Sequence, residues 1–158
     1  MEKRTTFFDA EDIPLFLGRA YAACGDYRGS VEAFSKALSQ TKKPSDSLLM
    51  SIARSYMELE EYTIAVSYLQ LCIDTSQDSN LIQIARILLA EVFLLSGDLD
   101  KAENQYISIL NDGDNAEVHY QLGELYSLKG DAVRARSQWR LAYRQDPAHA
   151  QARARLNL

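Results

Sequence analysis

The side chains best suited to metal or nucleophilic chemistry in this 158-residue chain are few: His119, His149, Cys24 and Cys72. The two histidines stand 30 residues apart, and neither has a second ligand at the spacing a zinc site uses. The cysteines lack CxxC spacing and are too few for a disulfide framework, so they read as two small buried residues in a reducing compartment. No glycine-rich phosphate loop, HExxH string or Ser/His/Asp set occurs. Carboxylates are plentiful but fall on faces expected to meet solvent. The sequence therefore predicts no catalytic residue, no metal ligand and no cofactor, and a protein that is not an enzyme.

What remains for recognition is charge and apolar surface. The net charge of −5 is unevenly spread. Residues 1–130 carry a net −9, whereas 131–158 place Arg134, Arg136, Arg140, Arg144, Arg153 and Arg155 against Asp131 and Asp146 for a net +4. An acidic body argues against a nucleic-acid partner, because binding a phosphate backbone draws on lysines and arginines. Arg136, Arg140 and Arg144 recur every four residues, which reads as a solvated helix face or as a contact for an acidic partner, such as the acidic N-terminal region of another copy. No apolar run reaches the roughly 20 residues that cross a bilayer. Lys3 and Arg4 are followed by Asp9, Glu11 and Asp12 rather than by an apolar signal stretch, so a cytoplasmic location is expected unless a leader precedes Met1.

The elements that must position these groups follow from internal repetition. Hydrophobic residues make up 47% and charged residues 25%, as in ordinary globular chains, and 7 Gly with 3 Pro are too few for the turns of an all-β fold. Four segments match when aligned on a small residue and an aromatic three positions later: Gly18/Tyr21, Ala53/Tyr56, Ala90/Phe93 and Gly123/Tyr126. The aromatics lie 35, 37 and 33 residues apart. Each is followed by a break, Gly25-Asp26, Glu60-Glu61, Gly97-Asp98 and Gly130-Asp131, and then by a second apolar stripe. The stripes are Val31/Phe34/Ala37/Leu38, Ala65/Leu69/Cys72/Ile73, Ala102/Tyr106/Ile109/Leu110 and Ala135/Trp139/Ala142/Tyr143, whose spacings place each on one helix face. Glycine in the break ends the first helix in a left-handed cap, and Glu60 lacks that freedom, so a strained or different turn is expected there.

These residues resemble the tetratricopeptide repeat family over nearly the whole chain. The fourth repeat follows its pattern most fully, with Leu122-Gly123, Tyr126, Gly130-Asp131, Ala135, Trp139, Ala142 and Asp146-Pro147. Departures are the opening Trp position, which holds Pro14, Leu49, Arg86 and His119, and the closing Pro, in frame only at Pro147. The resemblance implies an all-α, right-handed superhelical solenoid of helix-turn-helix repeats in a single domain over 1–158. Repeats are expected at about 11–45, 46–82, 83–115 and 116–147, joined by short linkers that supply Ser, Asp or Asn N-caps, with a capping helix over 148–158.

In that family the first helices of successive repeats line a concave groove that receives a peptide or helix. Helical spacing on those helices gives the groove as Leu15, Arg19 and Ala22; Met50, Arg54 and Met57; Ile87, Glu91 and Leu94; and Tyr120, Glu124 and Ser127. Its central row, Arg19, Arg54, Glu91 and Glu124, would orient a bound peptide by charge, unless Arg54 and Glu91 pair with each other. The flanking rows are apolar and suit an adaptable partner surface, with Leu94 also readable as core. Residues 81–95 form the most apolar helix, either buried on all sides or offering Ile84, Leu88 and Leu95 as a contact. The lysine and asparagine clamp with which some family members hold acidic chaperone tails is not repeated: the matching positions are Leu15, Arg19, Ser51, Ile84 and Leu88.

The function expected is a non-catalytic protein–protein interaction scaffold that binds a partner peptide or helix in the groove. Two further readings stay open. One is a small acidic chaperone holding hydrophobic secretion or assembly substrates, and the other is a structural module that forms homodimers.

Overall fold

Each apolar stripe needs a helix to carry it, and the residues flanking the stripes supply the stops. The structure, a computed structural model, describes residues 12–158. Among the described residues the chain forms nine helices and no strand: α1 (Asp12–Ala23), α2 (Tyr27–Gln40), α3 (Asp46–Glu58), α4 (Tyr62–Thr75), α5 (Ser79–Leu95), α6 (Leu99–Asp112), α7 (Ala116–Leu128), α8 (Ala132–Gln145) and α9 (Ala150–Leu156). Lys3, Arg4, Asp9 and Glu11, with the start of the first expected repeat, lie outside the described residues. The helices divide into two compact units, one ending at Ile82 and the other Gln83–Leu158.

In the first unit Phe34 and Ala37 of α2 meet Leu48 and Ile52 of α3, and Leu15, Leu38, Tyr56 and Tyr68 close around them. The Tyr56 and Tyr68 rings stack with centroids 5.8 Å apart. The hydroxyls of Ser30 and Ser55 are buried and satisfy each other at 2.9 Å, so this polar pair costs the core little. In the second unit Ala102, Tyr106 and Ile109 of α6 pack with Val118, Leu122, Leu125 and Tyr126 of α7, and Trp139 of α8 joins them. Of the face expected to be extra on α5, Leu88 is buried but Ile84 and Leu95 are 42% and 55% exposed. That helix is therefore not buried on all sides. The cysteines also divide: Cys72 is buried, whereas Cys24 is exposed, because it lies past the last residue of α1 rather than on a packed stripe.

At Gly18 and Gly123 the partner helix comes close against the first helix. A β-carbon on Gly18 would stand 2.3 Å from the Phe34 ring, and one on Gly123 would stand 2.5 Å from the Trp139 ring and 3.1 Å from the Ala135 carbonyl oxygen. The neighbour of Gly123 includes backbone, which cannot swing aside. Gly123→Ala gains helix propensity worth about 1 kcal/mol but forces overpacking worth about 1–3 kcal/mol. A net loss of stability is expected in chemical denaturation, and an unchanged midpoint would refute the close-approach account.

The four hairpin turns repeat one hydrogen-bonding scheme. The amides of Asp26, Glu61, Asp98 and Asp131 bond to the carbonyls of Tyr21, Tyr56, Phe93 and Tyr126 at 2.8–2.9 Å, and the preceding residue bonds one turn back. That preceding residue has positive φ in every case: Gly25, Gly97 and Gly130 at 78–82°, and Glu60 at 59°. Glu60 thus takes the glycine conformation with a side chain, a cost of about 1–2 kcal/mol. The next residue caps the second helix, and Asp26, Asp98 and Asp131 accept from the amides of Gly29, Lys101 and Arg134, while Glu61 makes no such bond. Glu60→Gly is expected to stabilise by about 1 kcal/mol and Glu61→Asp by a further ~0.5–1 kcal/mol. A melting temperature unmoved by both would contradict this reading of the second turn.

Candidate functional site

The candidate face belongs to the first helix of each pair, and the linkers fix where those helices begin. Ser45 accepts from the Leu48 amide at 3.3 Å, Asp78 from the Asn80 amide at 2.9 Å and Asn115 from the Val118 amide at 3.1 Å. Short polar side chains thus satisfy the amide ends of α3, α5 and α7.

In the first unit, Arg19 on α1 and Arg54 on α3 are both exposed. The Arg19 guanidinium donates to the Ser47 hydroxyl on α3, which ties it toward its neighbour helix. Arg54 has no ion-pair partner among the described residues. The apolar candidates are less available than their spacing implied. Met50 is buried at 8% exposure, Leu15 packs against the first core, and Ala22 and Met57 are half-buried. This face is therefore a pair of cations with a thin apolar border.

In the second unit Glu91 on α5 is exposed and has no ion-pair partner among the described residues, whereas Glu124 on α7 is engaged. Arg155 of α9 donates to both Glu124 oxygens, its Nε at 2.9 Å. The same guanidinium lies over the Trp139 ring, 5.4 Å from its centroid, and the Glu124 carboxylate keeps its pKa up by hydrogen bonding. Tyr120 is half-buried with the His149 ring 5.1 Å away. Ile87 and Leu94 pack against the second core, and Ser127 is exposed.

The two histidines have structural partners. His149 Nδ1 accepts from the Ala152 amide at 3.3 Å, which leaves the proton on Nε2 to be donated to Glu117 Oε2 at 3.1 Å. His119 Nδ1 lies 2.7 Å from Gln138 Oε1 on α8. His149 therefore caps α9 in place of the usual Ser or Asp, and together with Arg155 it fastens α9 to α7. Sequence reading placed a capping helix here but did not foresee these two bonds, because they join residues more than thirty positions apart. Arg136, Arg140, Arg144 and Arg153 are exposed.

A second charged cluster joins α6, α7 and α8. Lys129 Nζ donates to Asp100 at 2.6 Å and to Glu103, and Tyr126 donates its hydroxyl to Glu103 at 2.8 Å. Arg134 bonds Asp131 at 2.6 Å and lies 4.3 Å from the centre of the Tyr126 ring. The Lys129 hydrogen bond leads the causes that hold the Glu103 carboxyl below its ordinary value, while burial and then the bond to Glu103 push the Tyr126 phenol up. Depressed in the folded state, Glu103 contributes stability above its unfolded pKa and loses it as pH falls through the folded one. Glu103→Gln is expected to cost about 1–2 kcal/mol at neutral pH and to flatten the stability loss below about pH 4.5. Parallel stability–pH curves for the two proteins would show that this cluster does not hold the helices.

The comparisons with known proteins agree with this architecture. The model of the tetratricopeptide repeat-like domain matches residues 25–158. No curated protein matches the sequence. Among solved structures, YrrB, described as a TPR protein with an unusual peptide-binding site, is 22% identical over 95% of this chain and 76% of its own, with a TM-score of 0.76. MamA from Desulfovibrio magneticus is 18% identical over 89% of this chain and 78% of its own, with a TM-score of 0.76. A tetratricopeptide repeat protein from Parabacteroides merdae is 16% identical over 92% of this chain and 57% of its own, with a TM-score of 0.78. At these identities the likeness is one of fold, a helical-repeat solenoid. No helix among the described residues is long and apolar enough to cross a membrane.

Proposed function

We propose, for a chain that belongs to the tetratricopeptide repeat-like family, a non-catalytic role in protein–protein interaction, with the first-helix faces receiving a segment of a partner. The observation that carries this is the exposed pair Arg19 and Arg54, presented by α1 and α3 within one unit. Two cations on successive first helices, neither with an ion-pair partner among the described residues, favour an acidic segment, and the half-buried Met57 beside them favours one with interspersed apolar side chains. The peptide-binding site named for YrrB supports the class of ligand. In the second unit Glu91 remains available for a basic residue of the same partner or of another, while Glu124 is bound to Arg155.

Of the other readings, a chaperone for hydrophobic substrates is the less favoured. Met50 is buried, and Leu15, Ile87 and Leu94 pack against the cores, so these rows offer little free apolar area to an unfolded chain.

The test is an array of acidic peptides containing leucine or phenylalanine, probed with the wild-type chain and with Arg19→Glu/Arg54→Glu. Reversal of two exposed charges is expected to weaken binding by about tenfold, and added salt should weaken the wild type toward the variant. A folded variant that keeps the same peptides with the same affinity would place recognition elsewhere.

A further inference from the structure

Arg136, Arg140 and Arg144 of α8 are all exposed, and none has a hydrogen-bond or ion-pair partner among the described residues. They stand one turn apart, so their stems leave the helix at intervals of about 6 Å over a row of roughly 12 Å. No neighbouring carboxylate answers them. The helix itself contains no acid. The flanking acids are engaged, Asp131 with Arg134 and Asp146 with the Ala148 amide. Glu103 on α6 is held by Lys129 and Tyr126.

Repeat equivalence separates what the fold needs from what α8 adds. Counted from the capping residues Asp26, Glu61, Asp98 and Asp131, the equivalents of Arg140 are Ser35, Gln70 and Ile107. Those of Arg144 are Ser39, Asp74 and Asn111. All six are exposed, as the arginines are. No cation stands at the equivalents of Arg136 either. The same outward positions are thus filled without a cation in three second helices and by arginine throughout the fourth. Like charges one turn apart repel, and only Arg144, in the last turn, gains from the helix dipole. The row therefore does nothing for the helix that carries it.

We propose that this row docks an acidic helix of a partner protein, with Asp or Glu at every fourth position. Such a helix repeats its carboxylates at the same interval of about 6 Å, and a guanidinium grips a carboxylate through two parallel hydrogen bonds. Val133, 82% exposed and on the same face one turn ahead of Arg136, gives the docking helix an apolar contact at its end. Other anionic surfaces fit less well. A row one residue wide meets few phosphates of a nucleic acid, and the net charge of −5 repels the rest. A lipid surface is held by clusters of roughly four to eight cations, and three stand here. A second copy of this chain is a poor donor, because no helix among the described residues carries acids on three successive turns of one face. The row lies on a second helix, so it adds a contact to the first-helix face of Arg19 and Arg54 rather than restating it.

The probe is a stapled helical peptide with glutamate at every fourth position, titrated into the full chain and followed by amide chemical shifts. Its control is an isomer of equal charge with the glutamates spread round the helix. Saturable shifts centred on residues 133–144 are expected with the first peptide. They should persist in Arg19→Glu/Arg54→Glu, which separates this contact from the first-helix one. Arg136→Gln/Arg140→Gln/Arg144→Gln should weaken binding by about tenfold with helicity unchanged, because the three side chains are exposed and bond to nothing. Several results would overturn the proposal. One is no shift on α8 up to millimolar peptide, and another is an unchanged affinity in the triple variant. Equal binding of the isomer would reduce the row to unspecific charge. Tighter binding of phosphatidylserine vesicles or of an oligonucleotide, lost in the triple variant, would make that surface the occupant. A mass that doubles with protein concentration and returns to monomer in the triple variant would make a second copy the occupant.

Discussion

The fold depends on how closely two helices can approach within each pair, and that distance is set by an absent or minimal side chain. At Gly18 and Gly123 the missing β-carbon is replaced by the ring of Phe34 or Trp139 lying against bare backbone. Ala53 and Ala90 hold the same position in the other two pairs, and both are fully buried. With the approach fixed, the second-helix stripe has one face left, and that face can be satisfied only by the helix that follows. Repetition is thus a consequence of packing: each pair solves half of its burial and hands the other half onward.

The same short segment also fixes the turn, which is why local and long-range preferences agree. The aromatic residue three positions after the small one supplies the carbonyl that receives the amide beyond the turn. In the second unit the ring of that residue is also covered by a cation from the next helix, Lys101 over Phe93 and Arg134 over Tyr126. Those cations are held in turn by the capping aspartates, Asp98 and Asp131. In the first unit the equivalent positions are Gly29 and Ile64, so its turns lack this clasp. The second turn lacks the glycine and the capping aspartate as well, and it keeps its shape because tertiary packing outweighs about 1–2 kcal/mol of backbone strain.

What could be read from the amino-acid order was whatever a helix period or a turn residue expresses locally. The stripes ending in Leu38, Ile73, Leu110 and Tyr143, the left-handed glycines of three hairpins, and the caps at Ser45 and Asn115 are all of this kind, whereas the left-handed Glu60 was legible only as a strained or different turn. Exposure was harder to read. Met50 and Leu15 fall at spacings expected to face a groove, yet Met50 is buried and Leu15 packs against the first core, and helical spacing alone does not tell how deeply a neighbouring helix covers a position. Cys24 resembles a stripe residue by type but falls one position past the helix end. Glu124, Arg155, Glu103 and Lys129 were visible as charges, but their pairing depends on which turns of different helices come to lie opposite each other.

Those pairings change the meaning of the uneven charge distribution. A net +4 over residues 131–158 suggests a basic tail facing outward. In the folded chain Arg134 is committed to Asp131 and Glu103, and Arg155 to Glu124. Part of the apparent basicity is therefore internal, holding α8 to α6 and α9 to α7, and the remaining exposed arginines form a spaced row rather than a dense patch. The same accounting works in the opposite sense on the first unit. There the composition is acidic, yet the first-helix face shows Arg19 and Arg54. Net charge describes how such a chain behaves at a distance. At contact range the charges that matter are those folding leaves without an ion-pair partner, and among the described residues Arg54 on α3, Glu91 on α5 and the exposed row Arg136, Arg140 and Arg144 are of this kind.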